Sequence, residues 1–243
     1  MEIQYLKPTD INKRYENHPG PYIIGDNELN KIFPDILKEK IQLYYNKVHG
    51  ELDDDNIILI NKLVSYLKPR IILEIGTFRG RTTMNMLKNS PSSKIITIDT
   101  IKENVFTSGM DKTHIKSNLK YKSLIDTNEI CCICNDSLFC SHDLDCVLNG
   151  ESIDFAFIDG NHSYTNVSSD FEKIVMPRLS DNGVVVFDDY NNLFSSVGVT
   201  MYLLQKAYYD RYVFYWYKPK DKKTNEVIFV NHHFQTLTEE VNQ

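Results

Sequence analysis

"ILEIGTFRGRTT", Ile72–Thr83, is the stretch on which the reading of this chain turns. It opens as an unbroken apolar run with one acid, Glu74, inside it. Two of the chain's ten glycines follow, Gly76 and Gly80, four residues apart. A run that stays apolar at successive positions suits a strand buried on both faces, as in a parallel sheet. A glycine pair at the turn from such a strand into a helix implies a close approach to the backbone that a side chain would block.

On either side the pattern repeats. "LDDDNIILINKLVSYLKP" (Leu52–Pro69) predicts a helix, with acids at its start, Ile57, Ile60, Val64 and Leu67 on one face, and Pro69 ending it. Thr82–Lys88 predicts a short helix that stops before Pro91. "KIITID" (Lys94–Asp99), "EICCICND" (Glu129–Asp136), "IDFAFID" (Ile153–Asp159) and "VVVFDD" (Val184–Asp189) read as further strands. "SDFEKIVMPRL" lies within a helix that turns Val167, Phe171, Ile174 and Val175 inward, and "SDNG" reads as the turn after it. Another helix, Val197–Tyr209, precedes two aromatic-rich strands, "RYVFYWYK" and "EVIFVNHH". Strands alternating with helices predict an α/β fold. The expectation is a doubly wound, Rossmann-like, mostly parallel seven-stranded sheet with an antiparallel C-terminal hairpin and helices on both faces. Upstream, Pro34 to about Val48 looks helical.

The bulk composition narrows the function classes. In 243 residues, hydrophobic content of 42% and charged content of 25% are ordinary for a soluble domain. A net charge of −6 argues against a dedicated nucleic-acid binder. No run reaches the roughly 18 apolar residues of a membrane span, and "MEIQYLKPTDINKRYE" lacks a signal-type apolar core. A cytoplasmic protein, without membrane or nucleic-acid partners, is expected. Five cysteines fit that compartment. Cys131 and Cys134 form a CxxC, but on a strand Cys131 shares a face with Ile133 and Cys132 with Cys134, as small hydrophobes.

The carboxylates carry the chemistry. Four of the five expected parallel strands end in acids: Asp99, Asp136, Asp159 and the pair Asp188–Asp189. The first holds Glu74. Carboxyl ends of parallel strands share one edge of the sheet, and ligands bind in the crevice outside it. Gathered like charges call for a cation there. The turn after Ile75 lacks the Gly-Lys-Ser/Thr of a phosphate-binding P-loop and the GxGxxG of a dinucleotide site. What remains, Glu-x-Gly-x-x-x-Gly with Asp99 nineteen residues past the second glycine, fits an adenosine ribose without a pyrophosphate. Asp99 would accept both ribose hydroxyls and the glycine turn would meet an amino-acid tail, the ligand supplying its own sulfonium and ammonium charge.

"LEIGTFRGRTT", "ITID", "NDS" and "FIDGNHSYTNVSSDFEKIVMPRLSDNGVVVFDDY" together resemble the class I S-adenosylmethionine (SAM)-dependent methyltransferases. The likeness is to the macrocin O-methyltransferase and cephalosporin-hydroxylase-like small-molecule group, over about residues 52–215. The resemblance implies that Glu74, Gly76, Thr77 and Gly80 cradle the methionine part, that Asp99 holds the ribose, and that Asp136 and Ser137 flank the adenine, with Asp159 closing the cofactor side. It also implies a divalent ion on Asp159, Asp188 and Asp189. Three carboxylates offering only oxygen suit magnesium, which would orient a substrate hydroxyl. Where the macrocin-type pattern has an acid shortly after the glycine, this chain has Asn161 and His162. His162 is the candidate general base beside Asp159. Residues 51–243 are then the methyltransferase domain, and residues 1–50 an N-terminal helical or irregular appendage serving as lid or interface. The expected reaction is O-methylation of a small hydroxylated molecule such as a sugar. A binding module that has lost chemistry, or another transferase class on the same scaffold, is the alternative. The acceptor is not legible in residues 1–50 or in the polar insertion 101–128, and the aromatic C-terminal strands are compatible with a homo-oligomer.

Overall fold

A computed structural model describes residues 21–44, 51–100, 130–190, 195–208, 210–221 and 224–231. The expected polar insertion 101–128, residues 1–20 and the pair His232–His233 lie outside them. The strands are β1 (Tyr22–Ile24), β2 (Ile71–Ile75), β3 (Lys94–Asp99), β4 (Ile130–Cys134), β5 (Ile153–Ile158), β6 (Leu179–Phe187), β7 (Tyr212–Tyr217) and β8 (Val227–Asn231). They form one sheet in the order β1-β7-β8-β6-β5-β2-β3-β4. β8 runs antiparallel to both of its neighbours, β6 and β7, and every other pairing is parallel. The α/β class and the antiparallel C-terminal hairpin are as read from the sequence. The sheet has eight strands rather than seven, because Tyr22–Ile24 pairs along β7 as an added edge.

The helices are α1 (Asp26–Ile32), α2 (Asp54–Leu67), α3 (Arg81–Asn89), α4 (Ser141–Leu148), α5 (Tyr164–Ser169) and α6 (Ser196–Tyr208). β2 is buried at all five positions, as its apolar run required. Its side chains alternate between two cores. Ile72 packs with Leu29, Ile60, Leu63 and Met84 from α1, α2 and α3. Ile71, Leu73 and Ile75 pack with Leu144, Val167, Phe171 and Met201 from the opposite layer. Burying apolar area on both faces at about 25 cal/mol per Å² is what makes a continuous hydrophobic run stable as a central strand.

Three local expectations need correction. Residues 34–44 are not helical beyond a single 3₁₀ turn, Ile36–Lys38; residues 45–48 lie outside the described set. Lys62 Nζ on α2 donates to the carbonyls of Leu37 (2.6 Å) and Glu39 (3.2 Å), so these oxygens point across to another helix instead of up their own. The segment is built into the domain: Leu29, Phe33 and Ile36 are fully buried, and β1 belongs to the sheet. "SDNG" sits inside β6, where pairing with β5 jumps from Ile153–Leu179 to Phe155–Val184, so the turn-forming residues loop out between two paired stretches. After α5 the chain widens into a π-helix over Asp170–Val175 and tightens to 3₁₀ at Met176–Arg178. Pro177 has no N–H to bond Lys173, and Arg178 Nη1 donates to the carbonyls of Lys173 and Ile174 in its place, both at 2.9 Å. Val167, Phe171, Ile174 and Val175 are buried as expected. α4 had no counterpart in the sequence reading; its eight residues include only two that are buried, Leu144 and Leu148.

The sheet also explains Gly76. Its φ is +99°, and a Cβ there would lie 2.0 Å from the carbonyl oxygen of Asp159, at the end of β5. Gly150, at φ +84°, has nothing within 4 Å of an added Cβ. Gly150→Ala is therefore expected to cost only the left-handed backbone penalty, about 1–2 kcal/mol. Gly76→Ala should cost about 4 kcal/mol or more, because backbone must also move. Urea denaturation of both variants checks this, and equal losses would contradict the close approach.

Candidate active site

From β2 the chain goes on to β3 and β4 on one side, while β5 and β6 lie on the other. Connections leaving β2 and β5 therefore diverge, and a crevice opens at their carboxyl ends. A cleft of about 250 Å³ occupies this point. It is lined by Gly76 and Phe78 after β2, Asp99 and Thr100 at β3, Asn135, Asp136 and Ser137 after β4, Asp159, Gly160 and Asn161 after β5, and Asn166 on α5.

The β2 turn is held by backbone hydrogen bonds, Gly76 N–H to the Ile98 carbonyl (2.9 Å) and Gly80 N–H to that of Thr77 (2.7 Å). Both glycines and Phe78 have positive φ. The Phe78 N–H donates to Asp99 Oδ2 at 2.7 Å, which sets the Asp99 carboxylate at the cleft wall. Glu74, Thr77 and Gly80, expected at a ligand, do not line the cleft; they lie behind its wall. Glu74 is fully buried and accepts from the hydroxyls of Thr83 on α3 and Thr97 on β3. Thr77 shares a hydroxyl contact with Thr97. Burial raises the Glu74 carboxyl from 4.5 to about 7, against the pull of the Thr83 and Thr97 hydrogen bonds.

At the β4 end, Asp136 Oδ1 accepts from the Leu138 N–H at 2.9 Å, which presents Ser137 to the cleft. Beneath them Asp170, at the start of the π-helix, is 1% exposed. Burial raises it to about 6, opposed by the Ser137 hydroxyl and reinforced by the charge of Asp136.

The β5 and β6 ends form an acidic corner. Asp159 keeps 23% of its side chain open. Its carboxyl is pushed well above the usual range, first by burial and then by Asp188, to which it is hydrogen-bonded. Asp188 is raised by burial and then by Asp189, opposed by the bond from Asp159. His162 Nε2 stands 3.5 Å from Asp189 Oδ2 and 3.9 Å from Asp159 Oδ1. Asp189 adopts φ +60° and its Oδ1 accepts from Asn225 Nδ2 at 2.9 Å. Glu226 adds a fourth carboxyl, fully buried and pushed well up by burial and then by Asp188.

The donor set of this corner fits a hard divalent ion: oxygen ligands only, with Asp188 Oδ1 buried and unpartnered. Among the described residues, no three acids, histidines or cysteines are drawn together into a coordination sphere.

The structure thus brings Gly76, Asp99, Asp136, Ser137 and Asp159 onto one cleft, joins Asp188 to Asp159, and places His162 between Asp159 and Asp189. Phe78, Asn135, Asn161 and Asn166 line it without having been singled out, as did Asn225 and Glu226 at the acidic corner. Phe78 had a local signal, lying between the two glycines. Asn225 and Glu226 had none, because strand order alone sets β8 against β6.

Glu74 gives this site a pH signature. The unfolded chain releases the Glu74 proton near 4.5, whereas the native state holds it to about 7. Native stability should therefore fall as pH rises from 4.5 and level off above 7, a loss of up to about 3 kcal/mol. Glu74→Gln should remove Glu74's share of this dependence and leave that of Asp159, Asp170, Asp188 and Glu226. Urea titrations of both proteins at pH 5 and pH 8 check it, and parallel losses would exclude a buried neutral carboxyl.

Residues 73–190 match the model of a family described as a methyltransferase domain. A protein of Acanthamoeba polyphaga mimivirus is 30% identical over 120 residues, 49% of this chain and 51% of that one. The chain thus spans about half the length of this curated relative. The O-methyltransferase TomG from Streptomyces achromogenes, involved in tomaymycin synthesis and solved in complex with SAM, superposes with a TM-score of 0.58 at 14% identity, over 91% of this chain and 95% of TomG. CalS11, a TDP-rhamnose 3′-O-methyltransferase of calicheamicin biosynthesis, superposes with a TM-score of 0.51 at 15% identity, over 94% and 96%. At these identities the likeness is one of fold. The chain shares the fold of these O-methyltransferases, and the match to the methyltransferase-domain model falls on residues 73–190 within it.

Proposed function

We propose that this chain is a SAM-dependent O-methyltransferase acting on a small hydroxylated molecule such as a sugar. One observation carries the reading: Asp99 and Asp159 open onto the same cleft at the switch point of the sheet, with Asp188 bonded behind Asp159 and His162 beside it. Asp99 takes the ribose hydroxyls, Asp136 and Ser137 flank the adenine, and the backbone from Gly76 to Phe78 faces the methionine portion. Glu74, Thr77 and Gly80 support that turn from behind. The TDP-rhamnose activity named for CalS11 supports a sugar acceptor, and the SAM bound to TomG supports the cofactor.

Asp159, Asp188 and Asp189 would hold magnesium, which when bound supplies a Lewis acid that lowers the acceptor hydroxyl's pKa. His162 takes the proton released as the acceptor oxygen gains the methyl group and the sulfonium becomes a neutral thioether. Asp189 Oδ2 and Asp159 Oδ1 both stand within 4 Å of its Nε2. The reading includes a cytoplasmic protein that does not bind nucleic acid, on the grounds of its charge and apolar runs. Among the described residues no helix is long and apolar enough to cross a membrane.

Calorimetric titration with SAM, with and without magnesium, tests the cofactor assignment, and absence of heat in both conditions would remove it. Asp99→Ala should weaken SAM by at least about tenfold, the worth of one charge-assisted hydrogen bond. His162→Ala should lower methyl transfer to a panel of sugars by about 10²–10⁴ while SAM affinity holds; an undiminished rate would dismiss it as the base.

A further inference from the structure

Asp189 reaches the acidic corner from a strained turn. Its φ of +60° is a left-handed conformation that costs a non-glycine residue about 1–2 kcal/mol. Something must hold it there, and Asn225 does so twice. The Asn225 carbonyl accepts from the N–H of Tyr190 at 2.8 Å, and its side-chain Nδ2 donates to Asp189 Oδ1 at 2.9 Å. Asn225 Oδ1 in turn accepts from Nδ2 of Asn56, a residue of α2 that is 2% exposed. A carboxylate only accepts, so Asp189 dictates which end of the Asn225 amide faces it, and Asn225 then dictates the orientation of Asn56. The chain ends on Asn56 Oδ1, which is buried with no hydrogen-bond partner. Leaving that oxygen unpaired costs about 1–3 kcal/mol, so this polar line from α2 to the acidic corner is not explained by stability.

We infer that Asn225, backed by Asn56, is a positioning residue for Asp189, selecting the carboxylate oxygen presented to His162 at the acidic corner. With Oδ1 taken by Asn225, Oδ2 is the oxygen that stands 3.5 Å from His162 Nε2. The inference rests on the reading above, in which Asp189 helps hold a divalent ion. It adds to that reading a support from α2 and from the segment leading into β8, outside the strands that provide the acids. Hydrogen bonds that orient a metal's carboxylate ligands commonly change metal affinity by about 10–100-fold.

The test is calorimetric titration of magnesium chloride into the intact protein and into Asn225→Leu, Asn225→Ala, Asn56→Ala and, as a control at the far end of β8, Asn231→Ala. SAM titrations and thermal melts of each accompany it. The expected result is magnesium affinity at least about tenfold weaker in both Asn225 variants, a smaller loss in Asn56→Ala, no change in Asn231→Ala, and unchanged SAM affinity in all. Wild-type magnesium affinity in the Asn225 variants would overturn the inference alone. Magnesium and SAM affinities that fall together, in step with melting temperature, would reduce Asn225 to a structural role and also overturn it. No magnesium binding by the unsubstituted protein would overturn both the inference and the metal assignment. Should Asn225→Ala fail to fold, the near-isosteric Asn225→Leu and the more distant Asn56→Ala give the same discrimination.

Discussion

The close approach of β2 and β5 at their carboxyl ends is the constraint from which the rest of the site follows. The Asp159 carbonyl occupies the space where any residue but glycine at position 76 would carry its Cβ. The Asp159 N–H also donates to the Ile75 carbonyl at 2.8 Å, so the two strand ends are pinned edge to edge. Because the connections then run in opposite directions, the pinned ends become the floor of a crevice. Gly76 was expected to make room for a ligand. It makes room for the protein's own backbone, and the cleft is a consequence of that packing.

Acids crowd this rim, and the same cause perturbs most of them. Glu74, Asp159, Asp170, Asp188 and Glu226 are all raised, and in each case burial outweighs any single neighbour. A carboxyl kept neutral by burial weakens the native state at neutral pH relative to an exposed one. Five of them along one edge are not a device for stability.

The apolar layers on either face hold this edge rigid. Phe171, on the π-helical turn that begins with Asp170, packs at centroid distances of 4.9–6.4 Å against Phe187, Phe214 and Phe229 from β6, β7 and β8. The widened helix thus serves two ends at once. It carries Asp170 beneath the cleft and ties the C-terminal hairpin to the strands that supply the acids.

Local order was legible in the sequence wherever one residue's neighbours in the chain are also its physical neighbours. The apolar run of β2, the acids terminating β3 and β5, the π-turn's inward residues and the aromatic hairpin strands each follow from periodicity and burial, and the β2 turn from its glycines. Which acids meet, and through which atoms, was decided only by tertiary structure. Glu74 and Gly80 belong to the right motif yet sit behind the wall, because Glu74 points into the α1–α3 core with the even-numbered residues of β2. Asn56, Asn225 and Glu226 are far from the motif in sequence and reach it because β8 inserts beside β6 and α2 packs across that edge. Pairing between distant segments depends on strand order, and strand order is set by the packing of the whole sheet, not by any local pattern of residues.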